Sequence, residues 1–476
     1  MLWAEESDIV VVGFGAAGAT AAITAHDMDA SVIMLEKTQT GGGNTAASAG
    51  AFVCAEDLSG AIEHISALSS GSTPRDIIER YVHESSRNVE WLKSLGANIE
   101  SRGGASLPQV TSSSAIKTYR VQGHGNGGET LWEFLKQQVQ KRHISVLVKT
   151  PARELIQDDR GKIIGIIGEN AKGRIAVRAR RAVILACGGF EYDDELKKSY
   201  LPGGTFYAFG DPANTGDGIR MSQKVGADIW HMNAVAGPLG HKFNGFEAAF
   251  PANLARQSAS DPFAYAFIYV DKEGSRFVDE LSLENHLMWS AFVYFDPEKL
   301  EFPRIPSYII FDESVRQAGP VVRDYVGNNR HIYSWSKDNT VEISKSWIES
   351  APSIVELAQK IGIDRELLTK SVEDYNVGCH QKNDFFGRDA RSLVAIEKPP
   401  FYAISTYPCL LNTQGGPRRN ADSQILDPFG KPIPGLYGAG ELGSIWGSMY
   451  QAGGNLGECL AFGRIAGKNA AQEQTI

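Results

Sequence analysis

Gly13, Gly15 and Gly18 stand in the spacing G-x-G-x-x-G, and Glu36 follows them. Residues of these types can cradle a dinucleotide. Gly13 permits a tight turn. Gly15 has no Cβ and lets backbone approach a pyrophosphate. Gly18 lets a helix pack closely on a strand. The N–H groups that open a helix, with the positive end of its dipole, face phosphate. Glu36 can accept hydrogen bonds from both ribose hydroxyls. An acid there argues against a 2′-phosphate, so the cofactor expected is FAD or NAD rather than NADP. Gly41-Gly42-Gly43-Asn44-Thr45 comes soon afterwards. It reads either as backbone wrapped round a long cofactor or as a flexible surface loop. Cysteine adds no redox chemistry of its own. Cys54, Cys187, Cys379, Cys409 and Cys459 include no C-x-x-C pair. Iron–sulfur, structural zinc and attached haem are disfavoured, and no metal site is expected. Redox work must then come from a bound organic cofactor.

The elements that hold this loop are legible around it. Asp8-Ile9-Val10-Val11-Val12 has the β-branched run of a buried parallel strand. An Ala-rich stretch to Met28 is a good helix former. Ser31–Leu35 is a second strand ending at Glu36, which completes a βαβ unit. Helices are expected over 61–93 and 128–140. Val146–Val148, Leu155-Ile156, Ile163–Ile167 and Arg174–Val177 read as a small antiparallel meander feeding a buried strand, Ala182–Ala186. That strand runs into Cys187-Gly188-Gly189-Phe190, which suggests a second close approach of backbone to cofactor. Asn214-Thr215-Gly216-Asp217-Gly218 precedes a helix over 219–225, with Thr215 or Asp217 as its cap. From 229 to 396 the patterning changes to short strands and helices. Gly435–Glu441 is then another strand-to-loop element, and Gly453-Gly454-Asn455-Leu456-Gly457 opens a last helix over 459–471.

Composition bounds the rest. The 476 residues are ample for two or three domains. Lys and Arg total 47 against 56 Asp and Glu, a net charge of −9, so nucleic acid is not an expected partner. No apolar run approaches the roughly 20 residues of a membrane span. The start, Met1–Asp8, is short and acidic, unlike a signal peptide. An odd number of scattered thiols suits a reducing, cytoplasmic setting.

Six segments, taken in order, resemble the fumarate reductase and succinate dehydrogenase flavoprotein superfamily. They are Val12–Gly18 with Glu36, Ile184–Phe190, Asn214–Gly218, Gly274–Glu280, Ile305–Asp312 and Gly435–Ala466. Soluble members of that superfamily include 3-ketosteroid dehydrogenases and urocanate reductases. The resemblance implies an α/β fold with non-covalent FAD. A Rossmann-like FAD-binding domain would be built from two chain segments, 1–228 and 397–476. An inserted α+β cap, 229–396, would close over the isoalloxazine. Beside the fingerprint, the cofactor-binding positions implied are Ala17, Lys37, Gly43, Asn44 and Thr45, then Ala152, Gly188, Asn214 and Asp217, and finally Glu441, Asn455 and Leu456.

The departures from the family narrow the substrate. Its dicarboxylate enzymes use a His before T-x-G-G, an Arg past R-F-x-x-E and an Arg before L-G-G-N. Here those places hold Asn412, Glu284 and Gln451, so fumarate and succinate are not expected substrates. Tyr450, with Gly454 four residues on, is similar to the Tyr-x-x-x-Gly of the ketosteroid Δ1-dehydrogenases. The phenol and the glycine N–H there bind the ketone oxygen. Two such donors form an oxyanion hole, each worth roughly 3–4 kcal/mol on deletion. Tyr450 otherwise reads as a packed aromatic. Where those enzymes place a tyrosine base, this chain has Glu284, near His286. Either can take the α-proton; both can equally be solvated helix residues. In Tyr119–Gly125, Arg120 can bind a carboxylate and His124 can relay a proton, or the stretch is an exposed loop. The expected function is an FAD-dependent oxidoreductase of CH–CH bonds. It would dehydrogenate a cyclic ketone or reduce the enone, exchanging electrons with a separate carrier or O2. An ene-reductase of an unsaturated acid, of the urocanate or fumarate type, is the alternative. A non-catalytic flavoprotein is a third.

Overall fold

Ser7–Val12 is wholly buried, as a β-branched run with strands on both sides must be. In this computed structural model, which describes residues 2–123, 125–203, 206–254 and 262–475, strand Glu5–Val12 pairs in parallel with Val32–Leu35 and with Gly173–Leu185. Ser145–Leu147 and Pro432–Gly438 extend the sheet at either side. The register puts Val12 opposite Leu35 and Leu185, Leu35 opposite Leu147, and Leu185 opposite Gly438. Five parallel strands thus stop on one line. In open α/β sheets, ligands bind at that carboxyl edge.

Helix Ala16–His26 follows the first strand and has no polar stripe, because nearly all of it is buried. Its small side chains admit the final helix, Gly454–Gln472, at short range. A Cβ on Gly467 would lie 2.4 Å from the Ala21 carbonyl oxygen. The final helix begins at Gly454, not at Cys459.

Two sequence expectations change here. Val146–Val148 reads from sequence as part of the meander, but Ser145–Leu147 joins the parallel sheet. The meander consists of Ala152–Gln157, Ile163–Asn170 and the start of Gly173–Leu185. That last strand continues unbroken into the parallel edge, so one strand serves both patterns. The helix Asp217–Lys224 has Gly216 as its cap, with no side-chain bond. Thr215 and Asp217 are otherwise engaged. Lys37 Nζ donates to Thr215 Oγ1 at 2.8 Å and to Asp217 Oδ2 at 2.7 Å.

The chain divides into two units. One is Met1–Leu201, Gly210–Ala236 and Asn412–Ile476; the other is Pro202–Phe209 and Gly237–Leu411. In the second, Phe401–Leu410 is the central strand, although the sequence boundary places 397–411 in the resumed cofactor half. It pairs with Ser307–Asp312, Leu239–His241, Glu349–Ala351 and Tyr207–Ala208. Helices Ile354–Ile361 and Arg365–Gln381 add Leu357, Leu368 and Tyr375 to one core with Ile309 and Ile310. The Gly274–Glu280 motif is an ion cluster inside this unit. Arg276 Nε and Nη2 each donate to a Glu280 oxygen at 2.8 Å, and Arg388 Nη1 donates to Glu280 at 3.2 Å. Asp384 binds the same Arg276. Among the described residues no helix is long and apolar enough to cross a membrane.

Candidate functional site

A cleft opens at the carboxyl edge of the parallel sheet, where open α/β sheets bind their ligands. It lies within the first unit. Its walls unite loops from across that unit: Gly13, Gly15, Ala17, Glu36 and Lys37, then Gly43, Asn44 and Thr45, then Ala152 and Gly188, then Asn214, Asp217 and Glu441. Gly18 lies outside the walls. A Cβ there would stand 2.0 Å from the Gly13 carbonyl oxygen, so its bareness serves helix–strand packing. Asn455 and Leu456 also lie outside, at the start of the final helix. Asp211 is a wall residue that sequence reasoning missed. Its N–H donates to Asn44 Oδ1 at 2.9 Å, and no local pattern announces that contact.

The electrostatics of the cleft come from fixed acceptors and helix ends. Glu36 is buried, with Oε2 accepting the Phe14 N–H at 2.9 Å and Oε1 accepting the Thr38 N–H and hydroxyl at 2.7 Å each. Its carboxylate therefore ties the glycine loop to the second strand. Thr45 Oγ1 accepts the Ala16 N–H at 3.0 Å, joining the second glycine loop to the first helix.

Tyr450 sits in a ring of neutral groups, also within the first unit. The Asn455 N–H donates to its hydroxyl at 3.4 Å, and the Asn412 side chain bonds the same oxygen. Gln414 Nε2 donates to Asn412 Oδ1 at 2.8 Å, and Asn455 Nδ2 donates to Gln414 Oε1 at 3.2 Å. Burial pushes the phenol above its ordinary range, so it stays protonated. Gly454 does not fill the role read from sequence. Its N–H donates to the Gln451 carbonyl at 2.8 Å, because the turn into the helix consumes it. A Cβ at Gly454 would lie 2.5 Å from the Trp446 indole, which is why glycine stands there.

The other two clamp positions are held as well. Gln451 is fully buried; its Oε1 accepts the Ser106 N–H at 3.2 Å and its Nε2 donates to the Ala452 carbonyl at 3.0 Å. In the second unit, Glu284 caps the short turn Asn285–Leu287. Its Oε2 accepts the His286 N–H at 2.7 Å, and its Oε1 lies 2.7 Å from His286 Nδ1. The pair is nearly buried, with side chains 13% and 10% exposed, so it is not a solvated helix face. Arg120 is bound by Glu100, which removes it as a carboxylate anchor. His124 lies outside the described residues.

The FAD binding domain family matches residues 8–456, and the chain belongs to that family. NADH:fumarate oxidoreductase of Klebsiella pneumoniae is 28% identical over 98% of this chain, which spans 48% of that enzyme's length, about half. Vinyl phenol reductase of Lactiplantibacillus plantarum is 28% identical, covering 98% of this chain and 96% of that enzyme. The 3-ketosteroid delta1-dehydrogenase structure from Sterolibacterium denitrificans shares the fold at a TM-score of 0.85 and 21% identity, covering 98% and 99% of the two chains. FAD is the cofactor of the family, and the cleft fits it on its own terms. A Cβ on Gly15 would meet no protein atom nearer than 3.6 Å, so protein packing does not demand that glycine. Asn214 Nδ2, a buried polar atom on the cleft wall, has no hydrogen-bond partner among the described residues. On a cleft wall, such an atom can donate a hydrogen bond to a bound group.

Proposed function

We propose that this member of the FAD binding domain family is an oxidoreductase acting on the carbon–carbon bond beside a neutral carbonyl. A cyclic ketone would be desaturated, or the enone reduced. The observation that carries the reading is Tyr450, a buried, protonated phenol seated on amides and a backbone N–H. Bound FAD supplies hydride exchange with the β-carbon. Removing the α-proton builds charge on the carbonyl oxygen, and the Tyr450 hydroxyl donates to it. Asn412, Gln414 and Asn455 fix the phenol oxygen so that its proton points away from them. His286 is the group assigned to proton handling. Its Nδ1 lies 2.7 Å from Glu284 Oε1, so the carboxylate orients the imidazole ring. This assignment rests on the pair's own bonds and burial. Electrons are exchanged with a separate carrier or O2. FAD is held without a covalent bond, so acid precipitation should release all of it. A reducing compartment, the cytoplasm, is the setting that suits five free thiols.

Reduction of an unsaturated acid is the second reading, favoured by the relative named for fumarate. One experiment separates the two. The flavin is reduced anaerobically, and cyclic enones, urocanate and fumarate are offered in turn. Reoxidation by enones supports the first reading. Reoxidation by the acids alone replaces it with the second.

A further inference from the structure

Glu191 and Glu441 meet inside the first unit. Glu191 is fully buried, and Glu441 forms part of the cofactor cleft wall. The Thr413 N–H serves both, 3.1 Å from Glu191 Oε1 and 3.2 Å from Glu441 Oε1. Asn44 Nδ2 also serves both, 3.1 Å from Glu191 Oε1 and 3.1 Å from Glu441 Oε2. Carboxyls that share two donors lie side by side. Gly189 lets them approach: a Cβ there would stand 2.5 Å from Glu441 Oε1 and 3.0 Å from Glu191 Oε1. Both of these donors are neutral and offset neither charge. Glu191 Oε2 is buried and finds no donor among the described residues. Two carboxylates so placed repel strongly and cannot both ionise. A single proton between them cancels one of the two charges.

We propose that Glu191 and Glu441 hold one proton between them, and that this acid pair couples FAD binding to pH. The pair carries one negative charge while the proton bridges it. Burial, and for Glu441 the adjacent Glu191, raise the proton affinity of both groups above the ordinary carboxylate range. Tyr450 and Cys459 face Glu441, and burial keeps both protonated. Asp211, also pushed up by burial, faces Asn44 from its other side. As pH rises through the pair's range, the bridging proton leaves to solvent. The cleft wall then gains a second negative charge, which repels the anionic cofactor.

The test is FAD titration of the apoprotein by flavin fluorescence, from neutral into alkaline pH. In the wild type, Kd should rise by up to about tenfold per pH unit once the pair deprotonates. Glu191→Gln keeps a hydrogen bond to Glu441 and cannot lose a proton, so its Kd should stay flat over the same range. Titration of FAD itself is common to both proteins. A flat wild-type profile, or a wild-type profile in Glu191→Gln, overturns the proposal. Should Glu191→Gln fail to fold, infrared spectroscopy of the wild type decides. A protonated carboxyl band at neutral pH must vanish as FAD affinity falls, and its absence at neutral pH overturns the proposal.

Discussion

Tyr450 packs edge-on against Trp446, with ring centroids 6.1 Å apart. Tyr450→Phe keeps that ring and deletes one donor. Loss of roughly 3–4 kcal/mol of transition-state stabilisation predicts a fall in kcat of about a hundredfold or more, with FAD content unchanged. Near-normal turnover of every accepted ketone would make Tyr450 a packing residue. Glu36 illustrates a different role. Glu36→Ala leaves the Phe14 and Thr38 N–H groups without their acceptor, at about 1–3 kcal/mol each. The protein should then melt lower even without FAD, and purify colourless. An unchanged apoprotein Tm would show that Glu36 serves the cofactor alone. Spacing along the chain reveals Glu36, because the βαβ unit is local. It does not reveal the fate of the Gly454 N–H, which the turn from Gln451 decides. Nor does it reveal Glu191 beside Glu441, which only the folded sheet brings together.

At the scale of elements, the fingerprint glycines separate by what surrounds them. Gly15 has room for a Cβ, whereas at Gly18 a Cβ would stand 2.0 Å from the Gly13 carbonyl. Gly15→Val should therefore yield folded protein that binds little FAD. Gly18→Ala should lose about 1–3 kcal/mol of stability as the helix is pushed off the strand. Thermal melts of the two apoproteins, with flavin content, check the contrast; equal melts would refute it. Glu280→Ala leaves Arg388 buried without its carboxylate and Arg276 with Asp384 alone, at about 3–5 kcal/mol. Hydrogen exchange should quicken in Phe267–Val270 and Ser307–Asp312. The βαβ unit was legible because strand, helix and strand each have their own periodicity. Ser145–Leu147 was not, since three residues carry no signal of parallel or antiparallel pairing. Phe401–Leu410 was misplaced because an apolar run reads alike in either unit's sheet.

For the whole molecule, the sharpest expectation concerns fumarate, because relatives named for its reduction match almost the entire chain. Binding a dicarboxylate needs cations near both ends, and catalysis needs an acid. None of the three matching positions supplies one. Asn412 is spent on Gln414 and Tyr450, and Gln451 is locked by Ser106 and Ala452. Glu284 carries a carboxyl that holds His286. The net charge of −9 adds a field that lowers the local concentration of anions. These two effects differ in their response to salt. Salt screens the field beyond a Debye length of about 8 Å at physiological ionic strength, but it cannot restore missing ligands. Fumarate should thus fail to reoxidise the reduced flavin at low salt and fail equally at high salt, while enone reoxidation should change little between the two. Fumarate turnover that appeared only at high salt would mean that the clamp exists elsewhere and that long-range repulsion was the barrier. Rapid turnover at both would sink the neutral-carbonyl reading, because residues other than Asn412, Glu284 and Gln451 would then form a dicarboxylate clamp.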